Sequence, residues 1–142
     1  MTTINPYIHF NGNAEEAFTF YKSVFGGEFA SLVRFKDLNF EGTPDFGKEA
    51  DKIMHIALKI SDSGILMGSD TPEMMGKHSE SETRSKIFIG TESKEEATKI
   101  FNGLSANGQI EMPIDESPWR TYFGMLRDQF GFEWIVEFDG KK

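Results

Sequence analysis

Asn13-Ala14-Glu15-Glu16-Ala17 and Ser93-Lys94-Glu95-Glu96-Ala97 open two segments of one plan, eighty positions apart. Each follows a short apolar run, Ile4 to Phe10 in the first case and Lys86 to Ile89 in the second. Each places a capping residue, Asn13 or Ser93, three positions before a glutamate, Glu16 or Glu96. That spacing predicts a capping box: the cap oxygen accepts from an orphan N–H while the glutamate reaches back to the cap's own N–H. Strand, cap, helix and glycine stop recur in the same order, so one supersecondary unit is used twice.

Working outward, Ile8 and Phe10 share one face of the first strand and Tyr7 and His9 the other. Ala14, Ala17, Phe18, Tyr21, Val24 and Phe25 form a helical stripe that Gly26-Gly27 stops. Strands are expected over Glu28 to Phe35, Ile53 to Ile60 and Ile65 to Met67, with Asp37 to Asp51, which contains Gly42-Thr43-Pro44, as a loop or lid. Thr71 to Ser85, with Pro72, Gly76 and a Ser/Glu-rich run, reads as a linker. The second half repeats the order: a helix with Ala97, Ile100, Phe101 and Leu104 inward, then an interrupted strand from Ile110 to Ile114. A longer strand from Trp119 to Leu126, a turn at Asp128-Gln129-Phe130-Gly131 and a last strand from Phe132 to Phe138 follow. Phe132, Trp134, Val136 and Phe138 share the face expected beneath the second helix. Neither half covers its own sheet, so the halves should pair through their concave sides, with a ligand cavity between them.

With 142 residues the chain suits one domain with its own core. The absence of cysteine removes disulfides, thiol nucleophiles and thiolate metal sites. A net charge of −8 argues against nucleic-acid partners, which need clustered Lys and Arg. No apolar run reaches membrane-span length and no basic-then-apolar leader opens the chain, so no membrane partner is expected and the cytoplasm is the expected compartment. Fourteen phenylalanines imply a Phe-rich core or an aromatic-lined cavity, and composition does not separate the two.

Pro6-Tyr7-Ile8-His9-Phe10-Asn11-Gly12-Asn13-Ala14-Glu15-Glu16-Ala17 and Phe20-Tyr21-Lys22-Ser23-Val24-Phe25-Gly26-Gly27 resemble the opening of PhnB-like proteins. These belong to the glyoxalase/bleomycin-resistance group of the vicinal oxygen chelate superfamily, and many carry a 3-demethylubiquinone methyltransferase-like label. Met54-His55, Gly68-Ser69-Asp70 and Asp128-Gln129-Phe130-Gly131-Phe132-Glu133-Trp134 match similar pieces of that family. The resemblance implies an α+β fold of two βαβββ modules: module one over 1–70, a linker over 71–84 and module two over 85–142, often paired as a homodimer. It is weak for function, because the superfamily spans lyases, epimerases, dioxygenases, thiol transferases and drug-binding proteins.

Metal-dependent members place ligands on the first and last strands of each module. Carried across, those positions are Asn5, Met67, Lys86 and Ile135, none of them an ordinary ligand for a divalent cation. No bound metal or other cofactor is therefore expected. A displaced set of His9, His55 and Glu133 is the alternative, and it lacks the paired spacing of known motifs. No serine stands in a nucleophile-elbow context, and no glycine-rich loop suited to S-adenosylmethionine or phosphate is present.

The candidate ligand-binding residues are Tyr7, His9, His55, Met67, Lys86, Phe88, Trp119 and Arg120. His9 and His55 reach the concave face by strand parity; the alternative for His9 is a hydrogen-bonded histidine that closes a polar gap, and for His55 a semi-exposed strand histidine. His78, in the polar linker, is expected to be solvated. Arg120 either pairs with an anionic ligand or is a solvated edge residue. Two functions lead: a binding protein holding a small apolar or aromatic molecule against aromatic faces, or a metal-dependent lyase, isomerase or dioxygenase. A structural or partner-binding protein using the linker and the Asp37 to Asp51 loop is the third reading. The residues do not decide whether a reaction is catalysed.

Overall fold

The structure, a computed structural model, describes residues 2–38 and 45–140. Gly42-Thr43-Pro44, the centre of the expected lid, lies outside the described residues. The chain divides into two compact units, Met1–His78 and Ser79–Lys142.

The first unit runs β1 (Tyr7–Phe10), α1 (Ala14–Phe25), β2 (Glu28–Arg34), β3 (Ile53–Ser61) and β4 (Gly64–Asp70). The second runs β5 (Ile87–Thr91), α2 (Lys94–Ser105), β6 (Gln109–Glu116), β7 (Thr121–Arg127) and β8 (Glu133–Asp139). The sheet orders are β1-β4-β3-β2 and β5-β8-β7-β6, so the second unit repeats the first with every strand number raised by four. The first and last strands of each unit pair in parallel and the other pairs are antiparallel. The fold is α+β with two βαβββ units, as the family resemblance implies.

Each helix buries one stripe against its own sheet. On α1 the stripe is Ala14, Ala17, Phe18 and Tyr21, and on α2 it is Ala97, Phe101 and Leu104. Beneath α1 lie Ile8, Phe10, Ile56, Leu58 and Leu66; beneath α2 lie Leu126, Trp134 and Val136, all of them buried. Both contacts need a missing side chain in the sheet. A Cβ on Gly68 would stand 3.0 Å from the Phe18 ring and 2.6 Å from the Ile8 carbonyl oxygen. A Cβ on Gly124 would stand 2.6 Å from the Phe101 ring. An aromatic ring of each helix therefore rests on bare backbone, which brings the helix close and leaves the opposite sheet face open.

The caps differ from expectation. Ser93 Oγ accepts from the Glu96 N–H at 3.0 Å, but Glu96 reaches back to the Glu92 N–H at 2.9 Å rather than to that of Ser93. Asn13 makes no side-chain cap bond. The Ala14 N–H instead donates to Asp70 Oδ1 at 2.9 Å, and Asp70 Oδ2 accepts from the Ile53 N–H at 2.9 Å. A buried carboxylate at the end of β4 thus fixes both the helix start and the entry to β3.

The segment 71–84 is shared between the units. The Thr71 N–H donates to the Phe10 carbonyl, and the Asn11 side chain forms a two-way pair with the His78 backbone, at 3.0 and 2.8 Å. Further on, Arg127 Nη1 donates to the Glu82 carbonyl at 3.2 Å, within the second unit. Strand β6 is an edge strand interrupted by register shifts, and Pro113 stands inside it.

Candidate functional site

Strand alternation sends Tyr7 and His9 of β1 away from α1, together with Met67 and Ser69 of β4, which sit directly opposite them in register. His55 and Ala57 of β3 extend this open face, Ala57 pairing with Met67. The rings form a line. Tyr7 lies 5.8 Å from His55, nearly parallel at 28°, and 5.4 Å from His9 at 51°. His9 in turn stacks on His78 at 5.2 Å and 27°.

All three histidines of the sequence therefore share one surface. His78 is exposed, as expected, but it is not merely solvated: the Asn11 pair fixes its backbone, and its Nε2 shares a hydrogen bond with Thr71 Oγ1 at 2.7 Å. At longer range, His55 Nδ1 lies 3.5 Å from the Tyr7 hydroxyl and His9 Nδ1 lies 3.4 Å from Ser69 Oγ. Burial, and then the neighbouring His78, push the His9 pKa below the ordinary histidine value. At neutral pH His9 is accordingly a neutral ring, with one nitrogen to donate and one to accept.

The remaining sequence candidates belong to the second unit. Phe88 of β5 projects from the open face at 56% exposure, with Ile135 of β8 opposite it. Met125 pairs with both Ile135 and Met112. Trp119 and Arg120 stand in the turn before β7 rather than on the strand expected to begin at Trp119. Pro118 lies just ahead, and the Arg120 N–H closes a turn on the Ser117 carbonyl at 3.1 Å. Trp119 packs on Phe123 at 5.5 Å, whereas Arg120 lines a separate cleft with Tyr122 and Phe138.

Lys86 is not an open ligand contact. Its Nζ lies 3.0 Å from Glu133 Oε2 and 3.5 Å from Glu111 Oε1. Arg127 Nη2 stands 3.4 Å from the same Glu133 oxygen, and the Glu133 side chain is 2% exposed. Among the described residues no hydrogen-bond donor meets the buried Glu133 Oε1. The Glu111 carboxyl is held above the usual carboxylate range, first by the hydrogen bond it shares with Glu133 and then by burial. Glu133 is held below its usual range, first by that same bond and then by Lys86 and Arg127. A proton carried by Glu111 and donated to Glu133 accounts for both directions.

Linkage follows from those directions. Glu111, raised by folding, adds stability that is complete below its unfolded pKa and lost as pH rises through the folded one. Glu133, lowered by folding, adds stability that is complete above its unfolded pKa and lost as pH falls through the folded one. Glu111→Gln should therefore stabilise the protein at pH 8, by about 1 kcal/mol, because an amide N–H can donate to Glu133 at every pH. The gain should shrink on acidification as Glu111 takes up its own proton. Denaturant melts at several pH values check this, and a variant less stable than wild type at pH 8 would refute the shared proton.

The positions that hold a metal ion in the resembled superfamily do not fit one here. Lys86 puts an ammonium between two carboxylates, Met67 faces Tyr7, and Ile135 faces Phe88. Of the alternative set, Glu133 is already engaged by Lys86 and Arg127. Among the described residues no three His, Cys, Asp or Glu side chains are grouped to hold a cation. No helix among them is long and apolar enough to cross a membrane.

Strand parity puts Tyr7, His9 and His55 on this face, and Met67 comes from the position it holds in the resembled family. Sequence reasoning missed Ser69, Thr71, Asn11 and Glu111. The Ser69 position was legible, since it lies two residues beyond Met67 on the same strand, but the interrupted β6 hid Glu111.

Comparison with known proteins agrees with this architecture. The sequence model of the 3-demethylubiquinone-9 3-methyltransferase family matches residues 2–137. Protein PA1353 from Pseudomonas aeruginosa is 34% identical and superposes with a TM-score of 0.83, over 98% of each chain. The PhnB protein from Bacillus cereus is 27% identical with a TM-score of 0.75, over 96% of this chain and 99% of its own. A glyoxalase-related enzyme from Fulvimarina pelagi, 17% identical with a TM-score of 0.60 over 98% and 89% of the two chains, shares the fold alone. With both units matched in order and the family model spanning nearly the whole sequence, the chain belongs to the 3-demethylubiquinone-9 3-methyltransferase family, PhnB-like proteins of the glyoxalase/bleomycin-resistance fold.

Proposed function

We propose that the protein binds a small, flat, apolar or aromatic molecule, and that the line His55–Tyr7–His9–His78 with Met67 is the surface it lies on. The observation that carries this reading is the ring line itself. Three rings, Tyr7, His9 and His55, stand on the sheet face opposite the helix, and His78 stacks on His9 from the segment after β4. The centroid spacings are 5.2 to 5.8 Å, and Tyr7 is 41% exposed. Such a cluster offers an apolar or aromatic ligand ring contacts, while the Tyr7 hydroxyl and the imidazole nitrogens orient polar edges. Met67 adds a soft, adaptable contact that suits ligands of more than one shape. The mechanism is sequestration: the ligand loses water against ring faces and is returned unchanged.

A thermal-shift screen of aromatic and drug-like compounds, run with and without divalent cations, tests this, since a ligand raises the transition in proportion to ln(1 + [L]/Kd). For a compound that binds, Tyr7→Ala should weaken affinity by about three- to tenfold, the worth of one aromatic stacking partner. Unchanged affinity in Tyr7→Ala would remove the ring line as the site. Stoichiometric zinc, nickel, manganese or iron after purification without chelator, lost in His9→Ala, would replace this reading with a metal-dependent enzyme.

A further inference from the structure

On the α2 side of the second sheet, Lys94, Glu116, Arg120, Tyr122, Phe138 and Gly140 line a cleft of about 390 Å3. It lies between the first turn of α2 and the β6–β7 turn, within the second unit alone. Clefts that hold small molecules run from roughly 300 to 1,000 Å3, so a single substituted ring fits it.

Its walls are of two kinds. Tyr122 and Phe138 sit opposite each other in register on β7 and β8 and supply aromatic surface. The Tyr122 ring is held by a 2.7 Å hydrogen bond between its hydroxyl and Thr98 Oγ1, and the Lys94 ammonium stands 5.7 Å from its centre. Lys94 is also paired with Glu116, so those two charges offset each other.

Arg120 is the surplus cation. Among the described residues its guanidinium has no ion pair or hydrogen-bond partner. Its backbone is at φ 70°, a conformation that glycine or asparagine adopts readily and arginine does not. Ser117 and Thr121 hold it there through the Ser117 N–H to Thr121 carbonyl bond at 2.7 Å and the Oγ to Oγ1 contact at 2.9 Å. An unpaired fork held in a strained turn beside two aromatic rings points to something outside the chain.

We infer that this cleft is a second binding site, separate from the ring line of the first unit, and that it takes a small aromatic carboxylate. The ring lies against Tyr122 and Phe138, and the carboxylate meets the Arg120 fork, whose parallel donors match its two oxygens. A polyanion fits less well. The chain's net charge of −8 repels anions at long range, so the ligand must be held by contact with its ring and a single charge.

Benzoate, with benzamide and acetate as controls, tests this on the full chain by following amide shifts of Tyr122 and Gly140 and Trp119 fluorescence. Benzoate should bind saturably with a dissociation constant below about 10 mM, and the two controls at least about tenfold more weakly. Arg120→Gly should lower benzoate affinity at least about tenfold while raising the melting temperature, because glycine relieves the positive φ. That opposition of signs is one a purely structural arginine would not give. Arg120→Asn, also tolerant of this backbone conformation, is the second neutral variant and should lose binding likewise. Benzamide binding as well as benzoate, no saturation by about 10 mM, or full affinity in either variant would overturn the assignment.

Discussion

Asp128→Ala should cost about 3–5 kcal/mol, a large part of the roughly 5–15 kcal/mol that holds a domain of this size together. The Asp128 side chain is buried at 3% exposure just beyond β7. Its Oδ1 accepts from the N–H groups of Phe130 at 2.9 Å and Phe132 at 3.0 Å, and its Oδ2 accepts from the Trp134 indole N–H at 2.9 Å. One carboxylate therefore shapes the turn into β8 and anchors the largest side chain beneath α2. Alanine would leave all three donors without that acceptor, and the indole, fully buried, cannot turn to water. Asp128→Asn separates the two roles. Its amide oxygen can keep the turn bonds, but its NH2 would then face the indole N–H, donor against donor. Urea melts should rank wild type above Asn above Ala, with near-ultraviolet dichroism of the Trp134 band altered in both variants. A loss below about 1 kcal/mol for alanine would show that other groups carry the turn.

Asp70→Ala should cost about 2–4 kcal/mol, and for a related reason. It would release the first N–H of α1 and the Ile53 N–H at once, and it would take a negative charge from the positive end of the helix. Asn13→Ala, at the position where sequence alone puts the cap, should change stability by less than about 0.5 kcal/mol. The pair of measurements is decisive in either direction. If Asn13→Ala costs more than Asp70→Ala, the cap is local after all.

That contrast shows what the sequence holds and what it does not. Helix α1 is legible to its last residue, Ala14–Phe25, because apolar spacing and Gly26-Gly27 are local signals. Its cap was not legible, because the acceptor arrives from 56 residues away on another strand. Glu111 and Glu133 show the same limit. Glu133 shares the parity of Ile135 on β8, but nothing nearby announces that Lys86 and Glu111 converge near it. His78 looked like part of a polar tether, since a Ser/Glu-rich run has no periodicity to read. Its anchor, Asn11, is 67 residues earlier. Tyr7, His9 and His55 are legible for the opposite reason: alternation along a strand decides which side a residue faces, whatever its partners.

Strand β6 leaves one consequence for the protein in a crowded solution. It is an outer strand carrying exposed Ile110 and Met112, a sequence of the kind that invites another chain to add itself to the row. Pro113 has no amide proton to lend such a newcomer, and Asp115 places a carboxylate two positions further along. The same irregularity that hid this strand from a simple periodic reading also blunts it against amyloid-like growth.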